Sequence, residues 1–456
     1  MRTAAMIALL AAVASCSDAN DDIHEPAAGP SILLLVNDAW RRDSVGIYGG
    51  GSALTPRLDA AFSRGVVFER ATAQSSCTIN SAPSMIFGVH PSEHHYRGYE
   101  DRVSPRLVSA AEILARNGYD TYALSTNPHV SENNGLAQGF EEFIDPGGWN
   151  KTACAEVNGR FLDWLDGRGD RRFFAMLWYT DTHVPYEPPP AYVRRQVPGD
   201  LLYLVGDRTA RPDGKTLTLE EKVVARALYD ASVSYFDDET GKLMDRLESR
   251  GVLEDTVVIL TSDHGEAFWD RRSPAGRALY GHGSSLYPPQ TDIPLLMKGP
   301  GLPSARVSAP VQHIDLLPTI CDLAGVEPAT PYALRGMSAI PLVESRGDGA
   351  DRPIFTELLL DEYGPYRIRA GRHRGLSVIR NHVLEGEAFT PPLVEREVLH
   401  RSARGADRAS AVALDSRLDS FASALRLERF PASRAGFLAD EMTELERRLA
   451  NLGYLQ

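Results

Sequence analysis

Three short apolar runs each end in side chains that bind metals or move protons. Ser31-Ile-Leu-Leu-Leu-Val36 runs into Asn37-Asp38, the stretch 172–180 into Asp181-Thr182-His183, and the stretch 256–262 into Asp263-His264-Gly265-Glu266. Two aspartates and a histidine are an ordinary ligand set for a divalent metal. An Asp behind a strand more commonly caps a helix, so it is the coincidence of three such ends that points to one site. A fourth stretch, Ser75 to Gly88, offers Ser75, Ser76, Thr78, Ser81 and Ser84. A hydroxyl is a weak nucleophile until a base or a metal activates it. The same residues would also serve to cap a helix beginning near Ser81, and residue types alone leave both readings open.

The elements that must position these groups follow from the pattern. Short apolar runs at 31–36, 120–125, 172–180, 256–262 and 293–298 fit buried strands. Helical periodicity separates them, as at 107–117 and along 218–250. The alternation predicts an α/β sandwich with a mostly parallel central sheet flanked by helices. In such sheets ligands bind at the carboxyl ends of the strands, where all the groups above fall. Past about residue 350 the sequence becomes Arg-rich and then rich in Ala, Leu, Arg and Glu, which predicts a small C-terminal α+β subdomain over 350–456, behind a catalytic domain over 31–349. No internal repeat is visible.

The formal net charge of −13 argues against general affinity for nucleic acid. Arg2, the apolar run Ala4–Ala14 and Val13-Ala14-Ser15-Cys16 read as a targeting segment too short to stay in a bilayer as a helix. Small residues before a Cys resemble the bacterial lipobox. That implies a leader over 1–16, acylation of Cys16, a polar linker over 17–30 and a lipid-anchored protein of the bacterial cell envelope; the other reading is an ordinary secretory leader. Cys77, Cys154 and Cys321 remain, an odd number with no zinc-like spacing.

Read in order, several blocks resemble the sulfatase family of the alkaline phosphatase superfamily. The run Leu33-Leu-Leu-Val-Asn-Asp-Ala-Trp-Arg-Arg-Asp-Ser-Val-Gly-Ile-Tyr-Gly49, with Thr55-Pro-Arg-Leu-Asp59 and Gly65-Val-Val-Phe68, is similar to the family's opening block. Thr261-Ser-Asp-His-Gly-Glu266, Gly281-His-Gly283 and Ile293-Pro-Leu-Leu-Met-Lys-Gly-Pro-Gly301 resemble its second metal block. His183-Val-Pro-Tyr186 and His313-Ile-Asp-Leu-Leu-Pro-Thr319 resemble two further landmarks. The resemblance spans roughly residues 30–345 and implies an alkaline-phosphatase-like fold and a metal-dependent ester hydrolase. It places Asp38, Asp263, His264 and Thr78 on the metal, His183 and His282 at the substrate anion and leaving oxygen, and Asn127 at the anion. His94, His95 and Arg97 follow the nucleophile segment; contact with substrate is one reading, and a solvated loop is the favoured one.

The departures from the family bear on the chemistry. Its usual Cys-x-Pro-x-Arg, whose Cys becomes formylglycine, is replaced by Cys77-Thr-Ile-Asn-Ser. Counting back from Gly88 by the family's spacing lands on Thr78, so an unmodified threonine nucleophile is expected, similar to the phosphodiesterases, phosphonate hydrolases and phosphoethanolamine transferases of the superfamily. Asn37 stands where calcium-type members have the first of two aspartates. A ligand set with a nitrogen and fewer carboxylates favours Mn or Zn, with Ca also admissible. A single metal is expected, since Asp181 and His183 are too close in sequence to match the two-zinc relatives. The implied substrate is a small anionic ester, or a sulfated or phosphorylated glycan or lipid. A transferase and a non-catalytic anion- or glycan-binding lipoprotein are the alternative readings.

Overall fold

The sheet is built around Ser31–Asn37, seven residues that are all buried. On either side it pairs in parallel with strands buried throughout, Phe173–Tyr179 and Thr256–Thr261, with Leu34 beside Met176 and Ile259. The computed structural model describes residues 29–49, 54–145, 152–212, 217–272, 278–345, 352–361, 366–373, 376–383 and 395–400, and short pieces at 413–414, 416–418, 420 and 433–434. The leader, Cys16 and nearly all of the expected linker lie outside the described residues.

From Phe173–Tyr179 the sheet continues in parallel through Asp120–Ser125 to Glu142–Ile144. Beyond Thr256–Thr261 come Asp292–Ile293 and Leu295–Lys298, antiparallel to their neighbours, then Val66–Thr72, with Ala305–Gln312 parallel on its far side. Nine strands thus form a mixed, mostly parallel sheet. Side chains alternate across it. Ile32, Leu34 and Val36 join one apolar core with the helices Thr78–Phe87, Ala110–Arg116 and Leu316–Ala324. Leu33 and Leu35 join another with Pro56–Phe62, Cys154–Gly167 and the long Leu219–Ser249.

The long helix starts where its capping residues stand: Thr218 Oγ1 accepts from Glu221 N at 3.2 Å, and the Glu221 carboxylate accepts from Thr218 N at 2.8 Å. Such a cap contributes about 0.5–2 kcal/mol.

The C-terminal strands Ile354–Leu360, Tyr366–His373, Leu376–Val383 and Glu395–His400 form a separate antiparallel sheet. Its first strand packs against the start of Thr78–Phe87. Asn80 hydrogen-bonds both backbone groups of Leu359, Gln74 O accepts from Glu357 N at 2.9 Å, and Gln74 Nε2 donates to Phe355 O at 2.8 Å.

Candidate metal centre and active site

Asp38 leaves the end of its strand with its N–H on Tyr179 O at 2.9 Å. Asp263 and His264 follow the neighbouring strand, and Thr78 is the first residue of the helix Thr78–Phe87. One carboxylate oxygen from each aspartate and one His264 nitrogen lie within 4.8 Å of one another, and all three residues are buried. Thr78 Oγ1 sits among them, donating to Asp263 Oδ2 at 2.8 Å and lying 3.3 Å from His264 Nε2. His264 Nε2 is 3.6 Å from Asp38 Oδ1 and 3.4 Å from Asp263 Oδ2.

Surrounding hydrogen bonds fix the chemical state of each group. His264 Nδ1–H donates to Gly265 O at 2.9 Å, so Nε2 carries the lone pair that faces the carboxylates, the tautomer a metal needs. The Asp263 loop is held by His313, whose Nε2–H donates to Ser262 O at 2.9 Å while its Nδ1 accepts from Gln74 N at 3.3 Å. Asn127 Oδ1 accepts from His129 N at 2.7 Å, which turns its amide nitrogen toward Asp38 Oδ2 and, at 3.4 Å, toward Thr78 Oγ1. Ala39, in the left-handed region at φ 58°, directs its N–H to Asp263 Oδ1 at 3.2 Å.

Two buried carboxylates in contact range need a counter-charge, and among the described residues no Lys or Arg pairs with either. Burial, reinforced by the Asp263 charge, pushes the Asp38 carboxyl up to about 7. Burial likewise pushes Asp263 up to about 6 and His264 down to about 4. Asp38 Oδ1 accepts no hydrogen bond. A divalent cation would relieve all of these together: it supplies the charge, takes the unpartnered oxygen and binds neutral imidazole. The donor set therefore fits a metal, held by Asp38, Asp263 and His264 with Thr78 Oγ1 at its side.

The remaining expected residues fall into distinct places. The His282 ring lies 4.4 Å from His264 and 4.8 Å from His183, centroid to centroid, so these imidazoles line one wall. Burial opposes the charge of His282, but the Glu266 carboxylate 3.1 Å from its Nδ1, with Asp38 and Asp263, outweighs it and raises its pKa. Asp181 Oδ1 accepts from Cys154 N at 3.4 Å, at the first residue of a helix that lies 27 positions earlier in the chain. Asn37, the last residue of its strand, is fully buried, and neither polar atom of its amide is hydrogen-bonded. His94 is not on a solvated loop. It is fully buried, with its Nε2–H on Asn80 O at 3.1 Å and its Nδ1 accepting from Tyr96 N at 3.0 Å. His95 beside it, at φ 57°, ends the short helix Pro91–His94. Nothing in the sequence spacing of Glu266 and Tyr186 announces that Glu266 bonds His282 and that Tyr186 bonds Glu266.

Comparison with known proteins finds relatives across most of the chain. A family model described as Sulfatase matches residues 30–326. The Escherichia coli (strain K12) protein named Uncharacterized sulfatase YidJ is 31% identical over 373 residues, covering 70% of this chain and 72% of that protein. An arylsulfatase of Clostridium perfringens is 24% identical over 396 residues, covering 70% and 79%. Among solved structures, a protein in complex with its substrate D-glucosamine-2-N,6-O-disulfate superposes with a TM-score of 0.71 at 17% identity, over 87% of this chain and 98% of that one. The phosphonate monoester hydrolase of Agrobacterium radiobacter gives 0.67 at 19% identity, over 87% and 95%. Both share the alkaline-phosphatase-like fold seen here. The extent of the family match, and a relative nearly a third identical across most of both chains, make this chain a member of the sulfatase family.

Proposed function

We propose that this protein is a metal-dependent hydrolase that cleaves sulfate, phosphate or phosphonate esters through a covalent ester on Thr78. The observation that carries the reading is the place of Thr78 Oγ1, 2.8 Å from Asp263 Oδ2 and within 3.4 Å of His264 Nε2 and Asn127 Nδ2. Cys77 is not among the residues gathered at the metal cluster, which favours the threonine over a modified cysteine.

When bound, a divalent cation such as Mn or Zn supplies a Lewis acid that acidifies the hydroxyl and neutralises an oxygen of the substrate anion. The chain's own residues account for the rest. Thr78 gives its proton to Asp263 Oδ2 as its oxygen attacks sulfur or phosphorus. The bond to the organic oxygen breaks with its electron pair, and His282 delivers the proton that this oxygen takes up. In the second half-reaction His282, now neutral, removes a proton from water as the water oxygen attacks the sulfur or phosphorus; the bond to Thr78 Oγ1 breaks with its electron pair on that oxygen, and Asp263 returns its proton to it. Asn127 and His183 hold the anion.

A threonine ester has no second hydroxyl across which to eliminate, so water or another acceptor must attack its sulfur or phosphorus. This favours phosphorus esters over sulfate. The two solved relatives, one bound to a sulfated sugar and one named for phosphonate monoesters, support keeping both classes within the proposal.

The test is turnover of matched nitrophenyl sulfate, phosphate diester and phosphonate monoester by Mn- or Zn-loaded protein, with Thr78→Ala as control. Turnover of one class, abolished in the variant, with mass added to the Thr78 peptide after rapid quench, supports the proposal. Full activity in Thr78→Ala would refute it.

A further inference from the structure

Behind His282 lies a closed line of hydrogen bonds that the reaction as written does not use. Glu266 is fully buried and its carboxylate takes His282 Nδ1–H at 3.1 and 3.3 Å. The same carboxylate accepts from the hydroxyl of buried Tyr186 at 3.1 Å, and Tyr186 in turn accepts from Tyr280 OH at 3.2 Å. The backbone of Glu266 is pinned as well: its carbonyl accepts from Arg41 Nη1 at 2.9 Å. The Arg41 guanidinium is held in turn by Asp43 at 2.6 Å and Asp270 at 2.8 Å. Arg41 and Tyr186, both distant in sequence from Glu266, thus hold the residue whose carboxylate bonds His282 Nδ1.

An imidazole whose Nδ1–H is committed to a fixed carboxylate has its ring plane and its tautomer set. The nitrogen left on the other edge is Nε2. We propose that Glu266, aligned by the Tyr186 and Tyr280 hydroxyls, is the positioning residue that makes His282 present Nε2–H to the leaving oxygen. This rests on the assignment of His282 as the acid in the proposed function. In the step, the sulfur– or phosphorus–oxygen bond breaks with its electron pair on the organic oxygen. The proton moves from His282 Nε2 to that oxygen, while Nδ1–H stays on Glu266. The two tyrosines accept and donate without ionising, and fix the direction of the carboxylate.

A positioning residue for an acid is told from a merely structural one by its dependence on the leaving group. Nitrophenolate leaves without help, and an alkoxide does not. In the ester class that the protein turns over, Glu266→Gln should lower kcat on an alkyl ester about 100-fold, and on the nitrophenyl ester about 5-fold or less. KM should change little on either. Tyr186→Phe, a nearly isosteric change that keeps the fold, should give the same bias at about 5- to 10-fold on the alkyl ester. Independently of turnover, NMR of histidine-labelled protein should show His282 protonated at Nδ1 with a slowly exchanging proton, and faster exchange in Glu266→Gln. Equal losses on both esters in Glu266→Gln and Tyr186→Phe would overturn the proposal. His282→Ala separates the two layers. If it shows the leaving-group bias and the Glu266 and Tyr186 variants do not, only the positioning role fails. If His282→Ala shows no bias, the acid assignment falls and takes this inference with it.

Discussion

Asn80 serves Leu359 as a substitute strand: its Oδ1 accepts from Leu359 N at 2.7 Å and its Nδ2 donates to Leu359 O at 3.0 Å. Asn80 stands two residues after Thr78 in the helix Thr78–Phe87, so the first turn of that helix is tied directly to the C-terminal sheet. A third bond, from Asn80 Nδ2 to Tyr96 O at 2.8 Å, completes its amide.

Replacing Asn80 by Ala leaves buried backbone groups of Leu359 and Tyr96 without partners, at about 1–3 kcal/mol for each unsatisfied group. With three groups unpaired, Asn80→Ala should therefore lower the unfolding free energy by about 3 kcal/mol or more in urea titration. It should also reduce kcat more than metal affinity, because Thr78 shifts while the Asp and His ligands do not. A stability change under about 0.5 kcal/mol would contradict the tie.

Thr78→Ala should lower kcat by about a thousandfold or more, whereas Thr78→Ser keeps a hydroxyl in place and should stay within about tenfold of the parent. Cys77→Ala should stay within a few-fold, since Cys77 contributes its backbone to the start of the helix. Intact-mass measurement of the Cys77 peptide checks the same point without kinetics: an unmodified thiol is expected.

Metal removal should destabilise the protein, because two buried carboxylates are left facing each other. Chelated protein should melt at lower temperature, recover on adding Mn or Zn, and bind one equivalent by elemental analysis. Asp263→Asn should weaken that binding at least about tenfold. An equal melting temperature with and without chelator would remove the metal from the account.

Acid should unfold the protein earlier than its carboxylates alone require. Burial holds His94 down to about 3 and His313 down to about 4, and each spends one nitrogen as an acceptor from a backbone N–H. Their folded pKa values lie below the unfolded value of about 6.5. The stability they contribute is complete above pH 6.5 and is lost as pH falls through about 6.5 toward the folded values, at up to about 1.4 kcal/mol per pH unit for each group. Urea midpoints measured between pH 7 and pH 4 should fall. The fall should be shallower in His94→Gln, which keeps an acceptor and a donor but carries no proton to gain.

Much of this site could be read before any coordinates. Asp38, Asp263 and His264 stand directly behind strands buried on both faces, and such strands show as unbroken apolar runs. Val66–Thr72 and Ala305–Gln312 did not show as strands for the same reason reversed. The first exposes Glu69 and Arg70 midway, and the second carries Pro310 and a register break after Val307. Asp181 has the same sequence setting as Asp38, yet its Oδ1 accepts from Cys154 N at the first residue of the helix Cys154–Gly167; local sequence does not distinguish the two. The partners of His282 were hidden by distance along the chain. Tyr186, Glu266 and Tyr280 lie on segments that meet only when the hairpin Ala267–Arg272 with Ala278–Gly281 folds beside the loop after Phe173–Tyr179.

The bond between Asn80 and Leu359 spans 279 residues of sequence. During synthesis the ribosome delivers Thr78, Asp38 and Asp263 long before it delivers Leu359. A growing chain would therefore carry Thr78, Asp38 and Asp263 well before it carries the strand to which the first turn of the helix Thr78–Phe87 is tied. On the proposed roles, competence to bind the ion comes early in the life of the molecule, and competence to attack an ester waits for Leu359.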